Sequence, residues 1–220
     1  MKNILKKDYL TTAIVAIGLL LTGCSKDPAL NHKPIVTLPK DKLVGINEPL
    51  RLTAKVIDQD KEEILSYFWS IAAQPKDSNL TLKDPTKKTI LFKGKKEGKY
   101  YLDFIARDEY SSSLPKRVII TVASPIGEWK ADLSKTKEEN QLNEEEKIEV
   151  AEILSSNYKL IFLENGTLKD EKNTSWKHLH NGKYKLENRE LELIDENHLF
   201  IIGKLQDKDL KLYYKKVLQK

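Results

Sequence analysis

The sequence predicts an all-β chain built from two consecutive β bodies, the first a sandwich and the second a meander that carries one helix. Runs with apolar residues at every second position recur across residues 34–122 and again beyond residue 157, a period that marks strands with one buried face. Turn-forming pieces separate the runs, among them Asp58-Gln59-Asp60, Gln74-Pro75-Lys76-Asp77, Asn165-Gly166 and Asn181-Gly182. At roughly 100–200 residues per domain, the 220 residues allow one large domain or two small ones. A hydrophobic content of 40% suffices for real cores, and the 38 basic and 33 acidic residues are interleaved, unlike a disordered polyelectrolyte. The chain's one cysteine excludes a disulfide framework and a cysteine-based zinc site.

The first 23 residues read as an address. Lys2, Lys6 and Lys7 precede an apolar run from Leu10 to Leu21. Twelve helical residues span about 18 Å, too short for a ~30 Å hydrocarbon core, and a basic start with a short apolar stretch is the pattern of a secretory signal. The run closes on Leu21-Thr22-Gly23-Cys24, which resembles the lipobox of bacterial lipoproteins. That resemblance implies cleavage before Cys24, a diacylglyceryl thioether on its sulfur and an acylated (palmitate-type) amine. Two or more fatty chains anchor stably at ~0.8 kcal/mol per buried methylene. Ser25 after the cysteine resembles the outer-membrane sorting pattern of enteric bacteria, so the expected location is the cell envelope, at the outer rather than the inner membrane. Residues 24–31 are then a lipidated tether.

Residues 32–123 are expected to form the sandwich. Leu50, Leu52, Ala54 and Val56 share one face; so do Tyr67 and Trp69, then Tyr100, Leu102, Phe104 and Ala106, then Val118, Ile120 and Val122. Short strands separated by turns argue for an antiparallel β-sandwich. Pro34-Ile35-Val36, Leu52-x-Ala54-x-Val56-x-Asp58-x-Asp60, Tyr67-x-Trp69 and Gly98-x-Tyr100-x-Leu102-x-Phe104-x-Ala106-x-Asp108 together resemble a PKD-type immunoglobulin-like domain over about 90 residues. The chain departs from the archetype after the tryptophan, where Ser70-Ile71-Ala72-Ala73 replaces Asp-Phe-Gly-Asp-Gly and leaves the subfamily open. Trp69 is read as core, packed between the sheets.

Residues 125–220 are expected to form the meander. Gly127-Glu128-Trp129 opens a strand, and Asn143 caps a helix whose start is suited by Glu144, Glu145 and Glu146. Ile148, Val150, Ala151, Ile153 and Leu154 give that helix its apolar face. Alternation then puts Trp129, Tyr158, Leu160, Phe162, Tyr184, Leu186, Leu191, Leu193, Leu199, Ile201, Leu210 and Leu212 on one inward face. Consecutive hairpins make an up-and-down sheet that can close into a barrel. Gly127-x-Trp129, Phe162-x-x-x-Gly166-Thr167 and Gly182-x-Tyr184 resemble the small lipocalin-like domains of bacterial envelope proteins. Side chains this large should nearly fill a small barrel, which argues for a packed interior rather than a ligand cup.

Charge divides near the same boundary, with residues 30–123 at net +5 and residues 126–220 at net −2. Anionic lipid would attract the basic half, although ordinary solubilising charge explains the same excess. The candidate site residues are few. Asp58, Asp60 and Asp108 end strands and are possible calcium ligands; the stronger reading makes them turn aspartates that bond their own backbone. His178-x-His180 supplies two of the three or four ligands a metal needs, and is read as exposed strand. Asp77-x-Asn79-x-Thr81 and Glu171-x-Asn173-x-Ser175 resemble the extended acceptor sequon of bacterial N-glycosylation, with chance occurrence the stronger reading. No nucleophile elbow, zinc-protease helix or phosphate loop occurs.

The chain is therefore read as a non-enzyme without cofactor: a membrane-anchored envelope lipoprotein acting as a binding or protein-contact module, possible partners being an envelope protein or glycan. The alternative is a carrier of a small apolar ligand in the C-terminal barrel. No nucleic-acid partner is expected despite the basic pI, because no basic-aromatic stripe appears and export removes the chance.

Overall fold

A computed structural model describes residues 31–60, 64, 66–156, 159–169 and 174–218. The lipobox and its cysteine, Tyr158 and Asn173 lie outside the described residues.

The first half begins with β1 (Ile35–Thr37), β2 (Lys42–Gly45), β3 (Leu50–Thr53) and β4 (Lys55–Ile57). It continues with β5 (Ser66–Ala73), β6 (Thr89–Phe92), β7 (Gly98–Arg107) and β8 (Lys116–Ala123). One sheet runs β2-β8-β7-β5, and the pairs β1-β4 and β3-β6 face it. β5, β7 and β8 thus neighbour one another as the C, F and G strands of an immunoglobulin-type sandwich do. The all-β prediction holds, with one exception to the antiparallel expectation: β2 pairs with β8 in parallel, Val44 opposite Val122. The inward alternation is as expected, since Leu52, Tyr100, Leu102, Phe104, Val118, Ile120 and Val122 are all buried. Trp69 is 1% exposed and meets Phe104 edge-on at 4.8 Å between ring centres, an arrangement aromatic quadrupoles favour.

The second half holds β9 (Gly127–Ala131), α1 (Leu133–Asn140), α2 (Glu144–Ser156) and β10 (Lys159–Phe162), then β11 (Trp176–His180) and β12 (Lys183–Leu186). β13 (Arg189–Leu193), β14 (His198–Leu205) and β15 (Lys208–Lys216) complete it. The seven strands make one curled sheet in the order β10-β9-β15-β14-β13-β12-β11. Segment 163–169 bridges its two edges: Lys169 N–H donates to Ile161 O at 2.7 Å, and Trp176 N–H to Gly166 O at 2.8 Å. The Asn181-Gly182 hairpin has positive φ at both residues, 50° and 72°, as a type I′ turn requires. Of the twelve residues expected inward, the eleven described are buried in one cluster with Val150 and Leu154.

Two helices stand where one was expected. α1 ends because Gln141 adopts a left-handed conformation, φ 50°. α2 then starts on a reciprocal capping box, Glu146 N–H to Asn143 Oδ1 at 2.8 Å and Asn143 N–H to Glu146 Oε2 at 2.9 Å. A second correction concerns Ile148, placed by its spacing on the buried face but 64% exposed.

α1 finishes the edge of β15. β9 pairs with β15 only at Tyr214–Lys216, so backbone groups of β15 before Tyr214 need other partners. Asp132 N–H donates to Tyr213 O at 2.8 Å. The buried Thr136 hydroxyl accepts the Tyr213 N–H at 3.0 Å while donating to Asp132 O at 2.8 Å. One turn later, the Asn140 amide accepts from Lys211 N–H and donates to Lys211 O, both at 2.9 Å. Two side chains at i and i+4 thus do the work of a missing strand. Thr136→Val leaves the Tyr213 N–H unpaired and is expected to cost about 1–3 kcal/mol in denaturant unfolding, with Thr136→Ser largely restoring stability. Equal stability of the valine variant and the native chain contradicts this.

Candidate functional site

The two hydrophobic clusters belong to one compact unit, His32–Lys220, and their junction brings the most side-chain chemistry together. β8 passes from one core to the other: Val118, Ile120 and Val122 lie in the first, Ala123 in the second. Ser124 and Pro125 are buried, and Pro125 O accepts the Trp129 indole N–H at 2.6 Å.

Glu48 sits at the centre of the seam. Its Oε2 accepts the Gly45 N–H at 2.6 Å, and its Oε1 accepts the Asn181 N–H, 133 residues away, at 2.8 Å. His178 Nε2 lies 3.1 Å from the same Oε2, and the imidazole rests on Tyr184 with ring centres 4.9 Å apart. Side chains pack closely against a glycine on each side. A Cβ at Gly45 would lie 2.6 Å from His178 Nε2, and one at Gly182 would lie 2.0 Å from Leu43 Cδ2. A second latch is Lys216, which pairs with Glu97 at 2.9 Å and covers the Trp129 ring at 5.4 Å. Lys99 and Glu196 add a pair at 3.6 Å.

A concavity of about 590 Å³ opens beside this seam, outside the curled sheet. Leu43, Ile194, Phe200 and Tyr213 give it apolar walls, and Asp41, Lys135, Glu139 and Glu192 give it a rim of both signs. Phe200 and Tyr213 meet at a tilt with ring centres 5.7 Å apart, with Lys211 over the first ring and Lys135 near the second. Trp129, Phe162 and Tyr184, by contrast, are buried within the second core at 0%, 1% and 3% exposure.

The residues singled out in the sequence fall elsewhere or take other roles. Asp58 Oδ1 accepts the Asp60 N–H at 2.8 Å, and Asp60 pairs with His32 Nδ1 at 2.8 Å. Asp108 is buried and accepts the Tyr110 N–H at 2.7 Å and the Ser111 hydroxyl at 3.0 Å. Asp58 and Asp108 thus hold local turns, and Asp60 holds His32. Among the described residues no group of three or more His, Cys, Asp or Glu is placed to hold a metal ion. His178 is half-buried in the seam while His180 is exposed, and a bulge between them breaks the shared face. Asn79 is exposed in the loop after β5, with φ 46°. Sequence reasoning missed Glu48 altogether, because nothing local to residue 48 signals partners at 178 and 181.

No protein-family model matches the sequence, and no curated protein matches it. Among solved structures, the PKD domain of human KIAA0319 is similar over 44% of this chain and 88% of its own length, at 18% identity and a TM-score of 0.37. The PKD domain of the KIAA 1837 protein is similar over 40% of this chain and 83% of its own, at 20% identity and a TM-score of 0.34. A quinonprotein alcohol dehydrogenase-like protein of Bacteroides thetaiotaomicron is similar over 85% of this chain and 40% of its own, at 13% identity and a TM-score of 0.33. These likenesses are distant, and the sandwich assignment rests on the strand order and the packed core.

The Tyr184 hydroxyl points to the seam, 3.4 Å from Ala123 O. Burial, then the nearby Glu48 and Glu97 carboxylates, push its pKa well above the ordinary phenol value. A raised pKa means that stability from this group is complete below pH about 10 and falls as pH rises from there towards the folded value. Burial also pushes Tyr214 up to about 12. Stability is therefore expected to decline above pH about 10, and Tyr184→Phe to flatten that decline without abolishing it. An unchanged alkaline slope in the variant would contradict the placement.

Proposed function

We propose that this protein is a lipid-anchored component of a bacterial cell envelope, held through Cys24, that works as a non-catalytic protein-contact module with the seam groove as its contact site. The observation that carries the reading is the groove itself. An aromatic and aliphatic floor within a charged rim is the composition of protein interfaces, which concentrate Tyr, Phe and Trp at the centre and polar groups at the edge. The groove draws walls from both halves, so a partner seated there reads the joined unit. The large inward side chains of the curled sheet support contact through outer surfaces over carriage of a ligand inside. The anchor rests on Leu21-Thr22-Gly23-Cys24 and on this cysteine being the chain's only one.

A photocrosslinking residue at Ile194 is expected to give a discrete protein adduct in the native envelope, and the same label at Ile148 on α2 none. Equal or absent adducts at both positions contradict the contact site. Cys24→Ser is expected to leave an unprocessed or mislocalised form; a variant still recovered from membranes as a processed lipoprotein contradicts the anchor.

A further inference from the structure

Both outward faces of the sandwich carry cations, but they differ in how those cations are paired. On the β2-β8-β7-β5 sheet, Arg117 grips Asp103 with two hydrogen bonds, 2.7 and 2.8 Å, so the central cation there is already neutralised. The opposite face is built otherwise. β1, β3, β4 and β6 contain no acidic residue. Their outward positions carry Arg51 and Lys55 with three aliphatic side chains: Ile35 (47% exposed), Ile57 (50%) and Leu91 (56%). The register sets Ile35 beside Ile57 and Arg51 beside Leu91. Lys87 and Lys88 precede β6 and Lys93 follows it, all exposed. Among the described residues, the ion pair on this edge is Lys87 with Asp84 at 3.1 Å.

We propose that this face docks on an anionic lipid surface. Cations interspersed with exposed aliphatic side chains suit that occupant, because both electrostatic attraction and apolar insertion contribute to interfacial binding. A soluble acidic polymer would use the cations and leave Ile35, Ile57 and Leu91 in water. Tether length agrees. Ten residues, Ser25–Pro34, separate Cys24 from β1, at most about 36 Å when fully extended, so an anchored chain holds β1 within reach of the bilayer surface. The inference rests on the anchor reading for its biological setting, but its test leaves the anchor out.

The experiment uses the chain from Ser25 to Lys220, which lacks the cysteine and contains the whole compact unit with both cores. Co-sedimentation with vesicles of phosphatidylcholine alone is compared with vesicles containing phosphatidylglycerol. Each surface cation contributes about 1 kcal/mol near an anionic membrane, about fivefold. The native chain is therefore expected to bind the anionic vesicles at least about tenfold more tightly than the neutral ones. Arg51→Glu with Lys55→Glu should remove most of that preference, and Leu91→Asp should weaken binding while leaving the melting transition in place. Arg117→Glu, on the opposite face, serves as the control and should change it little. Equal binding to both vesicles, or equal losses from the two faces, overturns the proposal. So does tighter binding to a soluble polyanion such as dextran sulfate, unaffected by Leu91→Asp, which assigns the face to an acidic polymer. Failure here leaves the anchor standing, because Cys24→Ser tests that separately.

Discussion

The structure depends on a half-buried carboxylate at the meeting of two independent cores. Glu48 holds its own turn through the Gly45 N–H and receives the Asn181 N–H from the other half. Hydrogen bonds to a charged acceptor contribute more than neutral ones, and here the two bonds join turns that lie 133 residues apart. The apolar part of the seam is small, essentially Leu43 laid against the second core. Orientation therefore falls to the polar latch and to the close packing of His178 on Gly45 and of Leu43 on Gly182.

The same constraint explains where the groove arises. Each core is packed with its own large, buried side chains. Joining two convex bodies edge to edge leaves a furrow beside the contact, and the Phe200–Tyr213 pair supplies its floor. α1 shapes that floor, because its Thr136 and Asn140 hold the β15 segment on which Tyr213 sits.

Much of the fold was legible because it follows from period-two burial. The apolar inward residues of β7, β12 and β13 fall at every second position, and each is buried. Asn143 was legible as a cap because its bond to Glu146 spans three residues. The division into two helices was not, since it turns on the left-handed conformation of Gln141, a residue type that does not announce it. The exposure of Ile148 was hidden for a related reason: helical spacing identifies a stripe but not how far the underlying sheet extends beneath it. The seam was illegible in principle. Glu48, His178 and Asn181 look like ordinary surface residues until the topology sets them together, and the parallel β2–β8 pair that places Glu48 has no signature in a sequence of short strands.

The most direct measurement of the account is amide hydrogen exchange of the intact protein, followed at Gly45 and Asn181 in the native chain and in Glu48→Ala. If the Glu48 latch holds the two cores as one unit, both amides are protected in the native chain, and both exchange about tenfold or more faster in the variant, the equivalent of about 1.4 kcal/mol. Amides of Tyr100 and Leu191, deep in the separate cores, keep their protection. Native Asn181 exchanging as fast as an exposed turn amide, or equal rates with and without the Glu48 carboxylate, would contradict it.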